Sequence, residues 1–257
     1  MSDTTADALL RASPLDPVDA RVLLAHALGW TRTQLITRGD APLDDAAVER
    51  FRALEARRVA GEPVAQLVGM REFFGRPFDV TPDVLIPRPE TELLVEATLD
   101  AIGGLPHAAV LDLGTGSGAI AVSIAAERPD ARVWALDRSP AALAVAQRNA
   151  DKLLDARRPG GPLHWLQSDW YAALDPALAF DTIVSNPPYI CLLYTSQPSS
   201  MNCFVNTDVG VPQGSQQHPA MQIRMPFHYL FLRTRHRSED QQFNLLIVRT
   251  KLSCFTY

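Results

Sequence analysis

The chain has 257 residues, of which 47% are hydrophobic and 21% charged, and its formal net charge is −5. This balance excludes collagen-like, disordered and disulfide-scaffold proteins, and the acidic charge argues against a protein that binds nucleic acid through its phosphates. No apolar run reaches the roughly 18 residues that a bilayer-spanning helix needs, and the N-terminal segment lacks the pattern of a signal peptide. With only three cysteines, a reducing cytoplasm is expected. Because there is no long apolar run, no membrane partner is expected.

The first part of the chain, residues 1–75, is predicted to form a small helical domain that ends in a linker of short strands. Residues 16–29 and 44–60 have helical patterns. Asp16 and Pro17 fit the N-cap and the first position of the earlier helix. The later helix is acidic at its start and rich in arginine at its end, which matches the helix dipole.

Alternating strands and helices follow. The segments GEPVAQLVG (residues 61–69) and REFFGRPFDVT (residues 71–81) predict short strands and turns, and a helix is expected from about Glu90. Beyond these, the predicted strands are residues 108–114, 131–137, 163–169 and 180–185, and the predicted helices are residues 114–127 and 139–156. This alternation predicts an α/β domain over residues 76–190 with a doubly wound parallel sheet, which binds ligands at the carboxyl ends of its strands.

A glycine-rich loop follows the first of these strands. It consists of Gly114, Thr115, Gly116, Ser117 and Gly118. Glycines there let the backbone turn tightly and approach a ligand at a helix N-terminus. The spacing is G-x-G-x-G and not the dinucleotide G-x-G-x-x-G, so the alternative interpretation, a turn that serves packing alone, stays open.

The second and third strands end in side chains that suit a nucleoside. Asp137 lies about 20 residues after the glycine loop, where a carboxylate can accept hydrogen bonds from both ribose hydroxyls. An aspartate at a strand end is often only a helix cap, but Ser139 already fits that role. Asp169 and Trp170 follow the third strand and suit hydrogen bonding to an adenine ring and covering it.

The fourth strand runs into Asn186-Pro187-Pro188-Tyr189. Two successive prolines restrict the backbone and remove two N–H donors, and Asn186 is held extended because it precedes a proline. The loop therefore offers fixed acceptors, the Asn186 side-chain oxygen and the Pro187 carbonyl, which can grip both hydrogens of a planar NH₂ group beside the ring of Tyr189. An ordinary Asn-Pro turn is the alternative interpretation.

These motifs together resemble class I S-adenosylmethionine-dependent methyltransferases with an N/D-P-P-Y motif. The similarity is greatest to the bacterial protein-(glutamine-N5) methyltransferases of peptide chain release factors. It rests on DARVLLAHALG, GEPVAQLVGMREFFGRPFDVTPDVLIPRPETELLVE, VLDLGTGSGAIAVSIAAERPDARVWALDRSPAALAVAQRNA, LQSDWYAAL and IVSNPPYI, from about residue 15 to Ile190. The resemblance implies a Rossmann-like methyltransferase sheet preceded by a helical substrate-recognition domain.

The resemblance also implies roles for particular residues. S-adenosylmethionine would be bound by Gly114, Thr115, Gly116, Ser117, Gly118, Asp137, Trp170 and Asn186, with Asp112 and Asp169 nearby. Asn186, Pro187 and Tyr189 would be catalytic, and the Asn186–Tyr189 loop would hold the glutamine of the release factor's Gly-Gly-Gln motif. It implies a monomer whose substrate is a release factor, with no direct nucleic-acid partner. No metal site is expected, since the histidines show no ligand spacing.

The composition changes abruptly after Ile190. Residues 1–190 have a net charge of −8, whereas residues 191–257 have a net charge of +3 and contain all three cysteines. We interpret residues 191–257 as a foreign or frameshifted tail; a genuine lineage-specific tail is the alternative. Two apolar runs, HYLFL and NLLIV, are candidate strands. With the family's C-terminal strands missing or replaced, we expect an open sheet edge after the fourth strand, poor stability and weak activity.

Three other functions remain open from the sequence. A related glutamine methyltransferase that acts on a ribosomal protein is the nearest of them, but the segment IPRPETE favours the release-factor branch. Adenine-N6 methyltransferases of nucleic acids share the N/D-P-P-Y motif, but the acidic charge of residues 1–190 and the lack of a basic recognition region argue against them. An inactive, truncated remnant that binds cofactor or partner without turnover is the other alternative, and the tail is the reason to consider it.

Overall fold

The computed structural model describes residues 4–186 and two later strands, Tyr229–Arg233 and Phe243–Thr250. The chain divides into two compact units, Met1–Pro87 and Arg88–Tyr257. The domain boundaries expected from the sequence, at residues 75 and 190, stay predictions.

The first unit is helical and ends in a hairpin. Its elements are α1 (Ala6–Ala12), α2 (Pro17–Leu28), α3 (Arg32–Thr37), α4 (Asp45–Val59), α5 (Val64–Val68), β1 (Met70–Phe73) and β2 (Arg76–Asp79). The predicted start of α2 is confirmed: the Asp16 side chain accepts a hydrogen bond from the Val18 N–H at 2.8 Å, and Pro17 is the first helical residue. Leu23 and Leu24 of α2 pack with Phe51 of α4 in the buried core of this unit.

One prediction for this unit is wrong. The segment at residues 61–69 was expected to form strands, but Val64–Val68 is a short helix. Pro63 lies immediately before the helix, and Gly69 ends it in the left-handed conformation at φ 75°. Because Leu67 is buried, one helical turn places the apolar side chain of this segment in the core. The following segment does form the expected strands, β1 and β2.

The second unit alternates strands and helices as predicted. It begins with a 3-10 turn (Pro89–Thr91) and continues through α6 (Glu92–Ile102), β3 (Ala109–Leu113), α7 (Ala119–Glu127), β4 (Arg132–Asp137), α8 (Pro140–Leu153), β5 (His164–Gln167), β6 (Phe180–Ser185), β7 (Tyr229–Arg233) and β8 (Phe243–Thr250). The predicted start of α8 is confirmed, because Ser139 is its N-cap and Pro140 its first residue.

The strands of the second unit form one mixed sheet in the order β5-β4-β3-β6-β8-β7. The pairs β3–β4, β3–β6 and β4–β5 are parallel. Every residue of β3 is buried, as expected for the central strand of a sheet that is covered on both faces. One face of β3, β4 and β6 packs on the partly buried side chains of Trp170, Tyr171, Leu174 and Leu178.

The prediction of an open edge at β6 is wrong. Strand β8 pairs with β6 in antiparallel register, with Val184 opposite Leu246, and β7 pairs with β8. The two apolar runs identified in the tail form these strands. Pairing satisfies the backbone N–H and C=O groups that an uncovered β6 would leave exposed. The expectation of poor stability was based on that open edge. The stability of the chain itself is untested, so this expectation stays a prediction, but the open edge no longer supports it.

Candidate active site

The parallel strands bring the predicted site residues together at the carboxyl ends of the strands. Leu113 at the end of β3 is paired with Leu136 on one side and with Ser185 on the other. Consequently Gly114 and Asn186 directly follow the adjacent strands β3 and β6, Asp137 is the last residue of β4, and the loop with Trp170 follows β5. Adjacent strands lie about 4.8 Å apart, so Asp137 and Asn186 are about 10 Å apart across the glycine loop.

The glycine loop is shaped by backbone hydrogen bonds to the neighbouring strand. The N–H groups of Gly114 and Thr115 both donate to the Leu136 carbonyl, at 2.9 and 2.8 Å. Gly116 and Gly118 adopt φ values of 55° and 81°, which residues with a Cβ rarely adopt. A Cβ on Gly118 would lie 3.0 Å from the Ala146 Cβ, whereas one on Gly116 would meet no heavy atom within 4 Å. The loop is therefore packed on α8 at Gly118 and has free space beside Gly116.

Asp137 connects the loop to the start of α8. Its Oδ2 accepts a hydrogen bond from the Gly116 N–H at 2.9 Å, and its Oδ1 accepts one from the Ser139 N–H at 2.9 Å. Each carboxylate oxygen has a second lone pair that these bonds leave free. Asp137 thus fixes the loop and can still accept hydrogen bonds from a ligand.

A buried carboxyl group lies beneath the loop. Asp112 of β3 is fully buried, and its Oδ2 accepts hydrogen bonds from the Thr115 hydroxyl at 2.7 Å and from the Ala121 N–H at 3.2 Å. Its Oδ1 has no partner among the described residues. Burial raises the pKa of Asp112 from 3.8 to about 7, although the Thr115 and Ala121 bonds act in the opposite direction.

This raised pKa predicts a pH dependence of stability. Between about pH 4 and pH 7 the folded protein holds a proton on Asp112 that the unfolded chain releases, so the free energy of unfolding should fall as the pH rises. The Asp112→Asn variant cannot titrate and should lack this fall. Urea unfolding of both proteins at several pH values in that window measures the difference in stability. A difference that does not change with pH would contradict the prediction.

Asn149 is a site residue that the sequence analysis missed. It lies within the buried face of α8, is fully buried, and its Nδ2 donates to the Ser117 carbonyl at 2.9 Å. The signal was present, because an asparagine in an otherwise apolar helical stripe needs a hydrogen-bond partner. Asn149 therefore holds the glycine loop against the helix.

The loop after β5 holds Trp170 in an uncommon backbone conformation. Its φ is 53°, and its carbonyl accepts a hydrogen bond from the Ser168 hydroxyl at 2.7 Å. The same Ser168 oxygen accepts from the Ala173 N–H at 3.0 Å. A left-handed conformation at a tryptophan persists only where the surroundings enforce it, and such positions concentrate at ligand sites. The Trp170 side chain is half-buried, and Asp169 beside it is exposed.

Asn186 is oriented by residues from two directions. Directly before it, the Ser185 hydroxyl donates to the Leu113 carbonyl at 2.8 Å, which ties the end of β6 to β3. The Asn186 Nδ2 donates to the Thr91 hydroxyl oxygen at 2.8 Å. Its Oδ1 has no hydrogen-bond partner within the described part of the chain. The other members of the predicted pocket, Pro187, Pro188 and Tyr189, lie outside the described residues.

Neither a metal site nor a membrane-spanning helix is present among the described residues. They contain no group of three or more His, Cys, Asp or Glu side chains arranged to hold a metal ion. Within the same residues, no helix is both long and apolar enough to cross a membrane.

Comparison with known proteins gives the family. Residues 4–69 match the model of the PrmC N-terminal domain, and residues 89–202 match that of the methyltransferase small domain. The release factor glutamine methyltransferase of Burkholderia pseudomallei (strain K96243) is 75% identical over 189 residues, which cover 74% of this chain and 66% of that protein. The matched region belongs to the release factor glutamine methyltransferase family. The resemblance stated from the sequence is confirmed.

More distant members of the family match the same share of the chain. The enzyme of Escherichia coli (strain K12) is 47% identical over 181 residues, which cover 70% of this chain and 63% of that protein. The chain thus spans just under two thirds of the length of these relatives. Among solved structures, magnesium protoporphyrin IX methyltransferase from Synechocystis PCC 6803 with bound SAM is 28% identical, with a TM-score of 0.31, covering 37% of this chain and 42% of that chain.

Proposed function

We propose that this chain transfers a methyl group from S-adenosylmethionine to the side-chain amide nitrogen of the glutamine in the Gly-Gly-Gln motif of peptide chain release factors. The observation that carries this proposal is the placement of Asn186, which follows β6 directly beside the glycine loop and whose side-chain oxygen has no hydrogen-bond partner among the described residues. The names of the family members, release factor glutamine methyltransferases, support the substrate.

The residues at the carboxyl ends of the strands fit S-adenosylmethionine. The free space beside Gly116 accepts a ligand close to the backbone, and Asp137 has lone pairs left for ribose hydroxyls. Asp112 lies below the loop, its Oδ1 has no partner among the described residues, and once ionised its charge would attract a cationic ligand bound at the loop. The residues proposed to hold the cofactor are Gly114, Thr115, Gly116, Ser117, Gly118, Asp137, Trp170 and Asn186.

The proposed chemistry depends on positioning. When bound, S-adenosylmethionine supplies a methyl group to the glutamine nitrogen as its carbon–sulfur bond breaks, and the nitrogen then loses one proton to water. The Asn186 Oδ1 and the Pro187 carbonyl accept hydrogen bonds from the two amide hydrogens and aim the nitrogen. Pro188 and Tyr189 complete the proposed glutamine pocket. An amide nitrogen is a poor nucleophile, so orientation has to supply most of the rate.

The test is a methyl-transfer assay with the full chain. S-adenosylmethionine labelled in its methyl group is incubated with unmodified release factor and, separately, with unmethylated DNA. We expect label on the release factor, and its loss when the Gly-Gly-Gln glutamine is replaced by alanine. Label on DNA would instead support the adenine-N6 activity, and calorimetric binding of S-adenosylmethionine without label on either substrate would support an inactive remnant.

We further propose that the helical N-terminal domain recognises the release factor, and that the protein acts as a cytoplasmic monomer without a nucleic-acid or membrane partner. Family membership supports the first point, and the acidic charge of residues 1–190 supports the absence of nucleic acid. Sedimentation velocity of the full chain measures the oligomeric state; a dimer at micromolar concentration would contradict the proposal.

A further inference from the structure

We propose that Thr91 is a positioning residue that holds the Asn186 side chain in place through its Nδ2, which leaves the Asn186 oxygen to face the methyl-accepting amide. The functional consequence rests on the proposed function. The structural part of the proposal, a side chain held by Thr91, can be tested without any activity.

A hydrogen bond joins Thr91 and Asn186, which belong to distant parts of the chain. The Asn186 Nδ2 lies 2.8 Å from the Thr91 Oγ1, although the two residues are 95 positions apart in the sequence. Thr91 is 5% exposed, so water has little access to its hydroxyl group. The two ends of an asparagine amide have nearly the same shape, and only neighbouring donors and acceptors decide which end points where.

Thr91 does not use its hydroxyl in the way that a threonine at this position usually does. It is the N-cap residue of α6, yet its side chain makes no capping hydrogen bond, and its φ and ψ of −72° and −19° are helical rather than extended. Threonine at an N-cap normally bonds an N–H of the first helical turn. The Thr91 hydroxyl instead meets Asn186, so capping does not account for this residue.

Both partners are held by rigid backbone. The Thr91 N–H donates to the Arg88 carbonyl at 3.0 Å within the 3-10 turn that begins at Pro89. On the other side, the bond from the Ser185 hydroxyl to the Leu113 carbonyl fixes the end of β6. The Thr91–Asn186 bond therefore connects two fixed points of the backbone. Because the Asn186 side chain is already held, little further conformational entropy is lost when substrate binds.

The consequence concerns which atom of Asn186 meets the substrate. With Nδ2 bonded to Thr91, the Oδ1 is left to accept from the substrate NH₂ group. In the reversed orientation the Asn186 NH₂ would face the substrate NH₂, and two groups of donors cannot bond each other. A threonine hydroxyl both donates and accepts, so Thr91 holds the side chain in place, and the substrate NH₂ group, which needs an acceptor, selects Oδ1.

The test compares Thr91→Val, which has nearly the same shape but no hydroxyl, with Thr91→Ser, which keeps the hydroxyl. For Thr91→Val we expect kcat to fall about ten-fold, the size expected for one lost hydrogen bond, while the melting temperature changes little. Thr91→Ser should keep kcat within about three-fold of the original chain. Full activity of Thr91→Val, or an equal loss in Thr91→Ser, would overturn the proposal.

A second measurement separates this inference from the proposed function. In ¹⁵N-labelled full chain, the two Nδ2 protons of Asn186 are assigned by their disappearance in Asn186→Asp. One of them should shift in Thr91→Val and keep its position in Thr91→Ser. If the original chain transfers no methyl group, the proposed function fails, and this shift alone decides whether Thr91 orients Asn186; unchanged resonances in Thr91→Val would overturn the inference.

Discussion

Replacement of Asn186 by alanine should lower the rate of methyl transfer about 100- to 1,000-fold, the loss typical of removing one preorganised hydrogen-bonding group from an active site. The Asn186 oxygen is placed at the end of β6, beside the glycine loop, and its orientation is fixed through Nδ2. Without it the substrate amide can rotate away from the methyl donor. Single-turnover rates at saturating cofactor and release factor measure the effect.

The matched variant for this prediction is Asn186→Asp. It keeps an acceptor oxygen of the same size but replaces the NH₂ group with a charged oxygen, to which the Thr91 hydroxyl must donate its own proton, so its rate should lie between those of the original chain and Asn186→Ala. Thermal unfolding of all three proteins controls for a loss of fold. If Asn186→Ala kept the original rate, Asn186 would have no part in the reaction.

The Asp137→Ala variant should weaken S-adenosylmethionine binding about 100-fold. The carboxylate accepts from the Gly116 and Ser139 N–H groups, and it is the proposed acceptor for the ribose hydroxyls. Hydrogen bonds to a charged group contribute about 1.5–3 kcal/mol each, so the loss of the ribose bonds alone accounts for a change of this size. Isothermal titration calorimetry of the full chain measures the Kd.

Asp151→Ala is the matched control for charge. Asp151 lies exposed near the end of α8, so this variant removes one negative charge from the helix that follows Asp137 without affecting the loop. Its Kd for S-adenosylmethionine should stay within about two-fold of the original value. Equal affinities of Asp137→Ala and the original chain would show that the ligand does not contact this carboxylate.

The elements that the sequence predicted correctly are those with strong local signals. Strand β3 is apolar except for Asp112, and α8 begins with Ser139 followed by Pro140, a serine cap and a proline at the first helical position. Parallel strands place their carboxyl ends together. The order of the motifs along the chain was therefore enough to predict that Gly114, Asp137 and Asn186 lie at the same end of the sheet.

The errors arose where local signals were weak. The apolar segment Val64–Val68 is too short for its periodicity to distinguish a helix from a strand. The edge of β6 was expected to be open because the composition changes after Ile190, yet the pairing of a strand depends on backbone groups and tolerates many apolar sequences. Strand β8 therefore pairs at this edge although the connecting sequence is unlike that of the family.

The hydrogen bonds that shape the site differ in how far they can be seen in a sequence. Asn149 interrupts a buried apolar stripe, so its need for a partner was visible, although the partner, the Ser117 carbonyl, was not. The Thr91 bond to Asn186 had no such signal, because a threonine before a helix is an ordinary N-cap and Asn186 lies on a different element. Only the three-dimensional arrangement shows that the hydroxyl has another use.

Mass spectrometry of a release factor that has been incubated with the full chain and S-adenosylmethionine is the decisive test of methyl transfer to glutamine. We expect one added methyl group, located by fragmentation on the side chain of the Gly-Gly-Gln glutamine, and no such product with Asn186→Ala. A methyl group on any other residue, or an unmodified release factor in the presence of chain that binds S-adenosylmethionine, would contradict it.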